Sequence, residues 1–219
     1  MARSRLAVVI PCHNEAATLG AVVGGAAKHG DVFVIDDRST DASRAVAETA
    51  GGRVIASAAS GYDGALTTGL RHAFDAGYEA VVTLDADGEH DPALVEAFGA
   101  ALAGGAGLVC GVRVRPQRSA EFVAAGLGKA LFGIDDLLCG MKGYGRPALQ
   151  AHFDDGGPLR LNMAPAVVWR RGGGDMVQIQ VTGEVRQDAP RFGRALRANC
   201  TILKTFAALL AGAGGKARP

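Results

Sequence analysis

Two carboxylates one residue apart, in Asp85-Ala86-Asp87, carry the strongest chemical signal in the chain. Alternating carboxylates just past a strand can share a divalent cation, or one can bind metal while the other orients a ribose hydroxyl. Glu89 offers a third oxygen ligand two residues on, with His90 a weaker one. The plain alternative is an acidic loop whose Asp91 caps a helix. Asp36-Asp37 forms a second acidic pair, suited either to general acid/base work or to accepting a ribose hydroxyl or base N–H. Ser39-Thr40-Asp41 after it reads as a capping turn. Cys12-His13-Asn14-Glu15 is a third polar cluster.

These clusters need elements that bring them together. Leu6–Ile10 reads as a buried strand stopped by Pro11, and 15–29 as a helix. Val32–Ile35 is a second strand, and Thr40 or Asp41 caps a helix over 42–50. Val54–Ala56 is a weaker strand, 63–76 a helix, and Ala80–Leu84 a fourth strand. Asp91-Pro92 supplies an N-cap and a first-turn proline for the next helix, and Leu108–Val112 is a fifth strand. This alternation predicts an α/β fold with a mostly parallel sheet flanked by helices. Ligands bind such sheets at the carboxyl ends of the strands, where all three polar clusters fall. Acidic groups gathered on one rim repel each other unless a cation or a donor-rich ligand sits among them.

Past residue 115 the alternation becomes irregular. The pattern predicts a helix over 119–132, a Gly-rich turn region at 133–146, a helix near 158–170, a strand at Met176–Thr182 and a last helix over 191–211. Two familiar nucleotide-binding loops are excluded. No G-x-G-x-x-G follows the first strand, and Gly128-Lys129 has Val123 and Ala130 where a P-loop needs Gly and Ser/Thr. Without a glycine cradle, a diphosphate would need neutralising by a metal, which points again to Asp85 and Asp87.

The order and spacing of three segments resemble a family-2 glycosyltransferase with a GT-A fold. They are Val8-Val9-Ile10-Pro11-Cys12-His13-Asn14-Glu15, Val34-Ile35-Asp36-Asp37-Arg38-Ser39-Thr40-Asp41, and Leu84-Asp85-Ala86-Asp87-Gly88-Glu89-His90-Asp91-Pro92. Within the family the chain resembles the dolichol-phosphate-mannose-synthase-like, or polyprenyl-phosphate, branch. Gly111-Val112-Arg113 and Asp136-Leu137-Leu138-Cys139-Gly140-Met141-Lys142 carry that likeness. The resemblance implies a nucleotide site formed by Pro11, Asn14, Glu15, Asp36, Asp37 and Asp85. It implies Mg²⁺ or Mn²⁺ at Asp85, Asp87 and Glu89, and Arg113 and Arg118 facing the acceptor or the phosphates. Arg191 matches a late R-x-x-G-x-S-K motif only in part, because Arg194-Ala195 replaces Ser-Lys. The activity implied is inverting transfer of a hexose from a nucleotide sugar to a polyprenyl-phosphate or glycan acceptor, in cell-surface polysaccharide or glycoconjugate synthesis. A nucleotidyltransferase and a non-catalytic nucleotide-sugar-binding module are the alternatives.

Inverting transfer to a sugar hydroxyl needs a base, for which Asp136 is the first candidate and Asp135 the second; Asp87 and Arg113 complete the expected catalytic set. A lipid phosphate is already an anion and needs arginines instead, and Arg113, Arg115 and Arg118 lie close together. The chain has 219 residues, is 48% hydrophobic and carries a net charge of +1, which fits one α/β domain. That near-neutrality hides an asymmetry. Residues 1–185 carry 16 Lys/Arg against 21 Asp/Glu, whereas 186–219 carry 7 against one. We therefore expect a GT-A domain over 1–185 and a basic C-terminal helix and tail over 186–219. Leu196, Cys200, Leu203, Phe206 and Leu210 form that helix's apolar stripe, for docking on the core or resting on an anionic membrane. Four scattered cysteines, no membrane span and no signal peptide suggest a reduced cytoplasmic protein, peripheral at most on the inner membrane face, with no nucleic-acid partner.

Overall fold

The computed structural model describes residues 5–113, 119–181 and 195–211. Seven strands form one sheet: β1 (Leu6–Cys12), β2 (Asp31–Asp36), β3 (Arg53–Ala56), β4 (Ala80–Thr83), β5 (Leu108–Arg113), β6 (Lys142–Gly145) and β7 (Val177–Val181). Their order is β3-β2-β1-β4-β6-β5-β7, and every pairing is parallel except those of β6, which runs antiparallel to both neighbours. Eight helices cover the faces: α1 (Ala16–Ala26), α2 (Ser43–Thr49), α3 (Tyr62–Asp75), α4 (Leu94–Ala103), α5 (Ser119–Phe132), α6 (Arg146–Asp155), α7 (Ala164–Arg171) and α8 (Ala195–Ala211).

Strand side chains alternate faces, and the core divides accordingly. Ala7, Val9, Phe33, Ile35, Val81 and Leu108 pack on one face against Leu66 and Leu70 of α3, Leu149 of α6 and Val167 of α7. Val8, Ile10, Val32, Val34 and Val82 pack on the other against Leu19 and Val23 of α1 and Phe98 of α4. Strands buried on both faces read as continuous apolar runs, which is why β1, β2, β4 and β5 are legible, whereas β3, at the sheet edge and partly exposed, gives a weaker signal.

Four expectations need correction. Pro11 does not stop β1, which runs on to Cys12. Pairing with β4 ends at Val9↔Thr83, so the missing N–H of Pro11 falls on a side that no longer needs a donor. The region 133–146 contains β6, and α6 follows at once from Arg146. The 158–170 helix begins only at Ala164, because Arg160, Leu161 and Asn162 all take left-handed backbone angles (φ 52, 57 and 60°). In α8 the inward residues are Ile202, Phe206 and Leu209, while Cys200 and Leu203 are exposed. The side chains of Leu196 and Leu210 lie outside the described residues, as do Arg115, Arg118, Arg191 and Arg194.

Candidate active site

The first two clusters interlock at the carboxyl end of β1 and β2. Asn14, in a left-handed conformation, accepts the N–H groups of Thr40 (2.7 Å) and Asp41 (3.3 Å) on Oδ1. Asp41 accepts the N–H of Ala16 with one oxygen, and the N–H and hydroxyl of Ser43 with the other. It therefore caps the start of α1 as well as that of α2. The Glu15 N–H donates to Ser43 Oγ at 2.8 Å. Asp36 is buried, accepting the Ser39 N–H at 3.0 Å with Arg44 Nε 3.7 Å away. Asn14 and Asp36, both expected at the nucleotide, thus have side chains committed to shaping the loop. Asp37 is more open: Oδ2 accepts the Gly61 N–H at 2.6 Å and Oδ1 pairs with the exposed guanidinium of Arg38. Pro11 is buried beside Ile35.

The third cluster follows β4. Thr18 of α1 donates its hydroxyl to the Ala86 carbonyl at 2.7 Å, tying the Asp85–Asp87 loop to the first cluster. Asp85 is half-buried, and its Oδ1 accepts the Tyr62 hydroxyl at 3.1 Å. Its other oxygen lies against Gly140, where a Cβ would collide with the carboxylate. Burial first, and then the charge of Asp87, push the Asp85 carboxyl up to about 6. Asp87 Oδ1 accepts the Glu89 N–H at 3.0 Å. Burial raises the Glu89 carboxyl and keeps the His90 imidazole below its ordinary value. His90 Nε2 sits 3.5 Å from Cys139 Sγ.

These groups suit a hard divalent cation. A carboxyl pushed up by burial and by a second carboxylate, as Asp85 is, is relieved by such a cation, and oxygen is the donor type Mg²⁺ and Mn²⁺ prefer. Among the described residues no three Asp, Glu, His or Cys side chains converge tightly enough to hold a metal unaided. A cation here would take its remaining ligands from water and a diphosphate, as Mg²⁺ commonly does.

Asp136 stands differently from its expected role. Its carboxylate pairs bidentately with Arg113 (Nε–Oδ2 2.8 Å, Nη2–Oδ1 3.0 Å) and also accepts the N–H groups of Arg113 and Cys139. Burial works to raise its pKa, but the hydrogen bonds and charge of Arg113 prevail and hold it below the usual carboxylate range. A carboxylate so occupied is a poor proton acceptor. Asp135 accepts an ion pair from Lys129 at 3.1 Å. Between these groups, Lys142 is fully buried in β6, and its ammonium donates to the Cys139 carbonyl.

Sequence reasoning missed Tyr62, Asp63 and Asn162. Asn162 is wholly buried, donating to Thr83 Oγ1 (3.1 Å) and the Gly140 carbonyl (3.3 Å) while accepting the Tyr144 hydroxyl (2.9 Å). Only Gly140 had a local signal, in the turn from Asp136 to Lys142.

A mixed, mostly parallel sheet with acidic loops gathered at its carboxyl rim is the GT-A fold. It superposes on glucosyl-3-phosphoglycerate synthase from Mycobacterium tuberculosis in complex with Mn²⁺, UDP and glucosyl-3-phosphoglycerate, with a TM-score of 0.78 at 21% identity, covering 96% of this chain and 80% of that one. A complex of that synthase with Mg²⁺ and UDP gives a TM-score of 0.77 at 22% identity, with the same coverage. The sequence pattern of Glycosyl transferase family 2 matches residues 7–129, and the chain belongs to that family. An uncharacterized glycosyltransferase of M. tuberculosis is 34% identical over 113 residues, 52% of this chain and 50% of that protein. The undecaprenyl-phosphate mannosyltransferase of Micrococcus luteus is 32% identical over 97 residues, 40% of each chain. The matched stretches thus span half or less of these curated relatives.

Proposed function

We propose that the protein transfers a hexose, with inversion, from a nucleotide-diphosphate sugar to a polyprenyl phosphate at a membrane surface. The observation that carries this reading is the bidentate Arg113–Asp136 pair beside the Asp85–Asp87 loop. It leaves Asp136 unsuited to deprotonating a sugar hydroxyl, whereas a phosphate acceptor arrives as an anion. Asp136 then serves to orient Arg113 toward acceptor or leaving-group phosphate, an anion that a guanidinium suits. Asp37, just past β2, accepts from ribose or base, with Pro11 at the end of the neighbouring β1 and Glu15 in the loop after it. Asp85, Asp87 and Glu89 supply oxygens for Mg²⁺ or Mn²⁺, which when bound stabilises the charge left on the departing diphosphate. Arg118 and Arg191 are proposed to face the phosphates from segments outside the described residues.

The membrane side of the reading rests on surface chemistry. No described helix is long and apolar enough to cross a membrane. Yet Val123, Leu127 and Leu131 form an exposed stripe along α5, and Leu203 is exposed on α8, which packs on α5. With the basic 186–219 segment, these would let the protein rest on anionic lipid. A glycan acceptor is the second reading. It is favoured by the burial of Ile202, Phe206 and Leu209, which spends the apolar side of α8 on the core.

Calorimetry with UDP, GDP and dTDP, with and without Mn²⁺, tests the donor site; no metal-dependent binding of any of them would overturn it. Supplying the nucleotide that binds as its radiolabelled sugar then tests the acceptor. Label is expected to pass into the organic phase with undecaprenyl phosphate. Transfer only to a neutral glycan would replace the lipid acceptor with the second reading.

A further inference from the structure

Three consecutive residues at the start of α3 reach three different parts of the site. The Gly61 N–H donates to Asp37 Oδ2, the Tyr62 hydroxyl to Asp85 Oδ1, and the Asp63 carboxylate accepts the Leu161 N–H at 2.8 and 3.1 Å. Gly61 takes φ +86°, a left-handed angle that turns the chain into the helix and frees its N–H for Asp37. The turn held by Asp63 ends in Asn162, which bonds Thr83 and the Gly140 carbonyl. Thr83 donates to the same carbonyl at 2.7 Å. Gly140 is the residue against which the second oxygen of Asp85 rests. The carboxylate is thus set from two sides, by one hydroxyl and by a stretch of bare backbone.

We propose that Tyr62 is a positioning residue for the cation and donor site: its hydroxyl fixes the orientation of Asp85, so that Asp85 and Asp87 present their oxygens in a preset geometry to the cation that the diphosphate also binds. This rests on the donor-site reading above. An Asp side chain on a loop samples several rotamers, and each must be frozen when a ligand binds. A hydroxyl donating to one oxygen removes that freedom beforehand and leaves the other lone pairs for the ligand. The platform is rigid: α3 buries Ala65, Leu66, Leu70 and Ala73 against the sheet. Groups that orient metal ligands in this way are generally worth about 10- to 100-fold in metal affinity.

Tyr62→Phe keeps the ring and removes the donor. In calorimetry with the nucleotide that binds the wild type, Y62F should weaken Mn²⁺-dependent affinity about tenfold or more and leave metal-free affinity unchanged. Tyr78→Phe is the control. It removes a hydroxyl–carboxylate bond to Asp31 at the opposite end of β2, and should lower Tm without touching the metal dependence. Gly140→Ala pushes on the other Asp85 oxygen and should give the same selective loss as Y62F, which covers the case of a Y62F protein that does not fold. Equal Mn²⁺-dependent affinity in wild type and Y62F would overturn the proposal. So would a loss that is equal with and without metal, in Y62F or in G140A. If the wild type itself shows no metal-linked nucleotide binding, the donor-site reading falls and this one with it.

Discussion

Charge, rather than packing, accounts for Asp87, and its removal should separate binding from folding. Asp87→Ala is expected to abolish Mn²⁺-dependent nucleotide binding in calorimetry while the Tm holds or rises, because the repulsion that raises the Asp85 carboxyl is relieved. Asp136 should behave in the opposite way. Its folded pKa lies below the ordinary value of about 3.9, so its stabilising contribution is complete above that value and is lost as pH falls through the folded one. Asp136→Asn should therefore cost roughly 1–3 kcal/mol at pH 7 and progressively less below about pH 4, as read from urea midpoints at pH 7 and 3. The placing of Asp37, Asp85 and Asp87 at the carboxyl rim of the sheet was legible in the sequence because each follows closely on a buried apolar run. Tyr62 was not legible: its partner lies 23 residues away, and a Tyr opening an amphipathic helix has the same local pattern whether or not it meets a carboxylate.

Among the elements, the turn before α7 is the most strained. Arg160 and Leu161 occupy left-handed space at a cost of about 1 kcal/mol or more each, a cost the surrounding bonds must offset. The Asp63 carboxylate under Leu161 is one such bond, and buried Asn162 supplies others. Asp63→Ala should destabilise the protein by about 1–3 kcal/mol, with Asp63→Asn losing less because its amide oxygen can still accept the Leu161 N–H; thermal unfolding of the pair checks the order. This turn also explains why a 158–170 helix misreads the chain, since Leu159, Arg160 and Leu161 are good helix formers and tertiary bonds hold Arg160 and Leu161 left-handed. β6 was hidden for another reason. Lys142-Gly143-Tyr144-Gly145 has two glycines and a lysine, yet sits in mid-sheet with Lys142 and Tyr144 fully buried. Strand propensity there yields to the neighbours on either side.

For the molecule as a whole, the exposed α5 stripe makes a prediction that does not disturb the core. Replacing Val123, Leu127 and Leu131 together by Ser should leave Tm nearly unchanged, since surface changes shift stability by only about ±0.5 kcal/mol each. It should abolish co-sedimentation with anionic vesicles at low salt. Binding that survives the triple change but fails on deleting 194–219 would assign the contact to the basic segment instead. The position of β6 bears on the order in which a growing chain can fold. β4 and β5 are not neighbours, and the strand that joins them is made about thirty residues after β5. Until Gly145 has left the ribosome, β4 has an open edge and β5 has no partner at all; β7, its other neighbour, comes later still. Residues 7–129, the part that matches the family pattern, end inside that interval. A fragment of those residues should aggregate or stay protease-sensitive when synthesised alone, and protection should appear only in fragments long enough to carry β6.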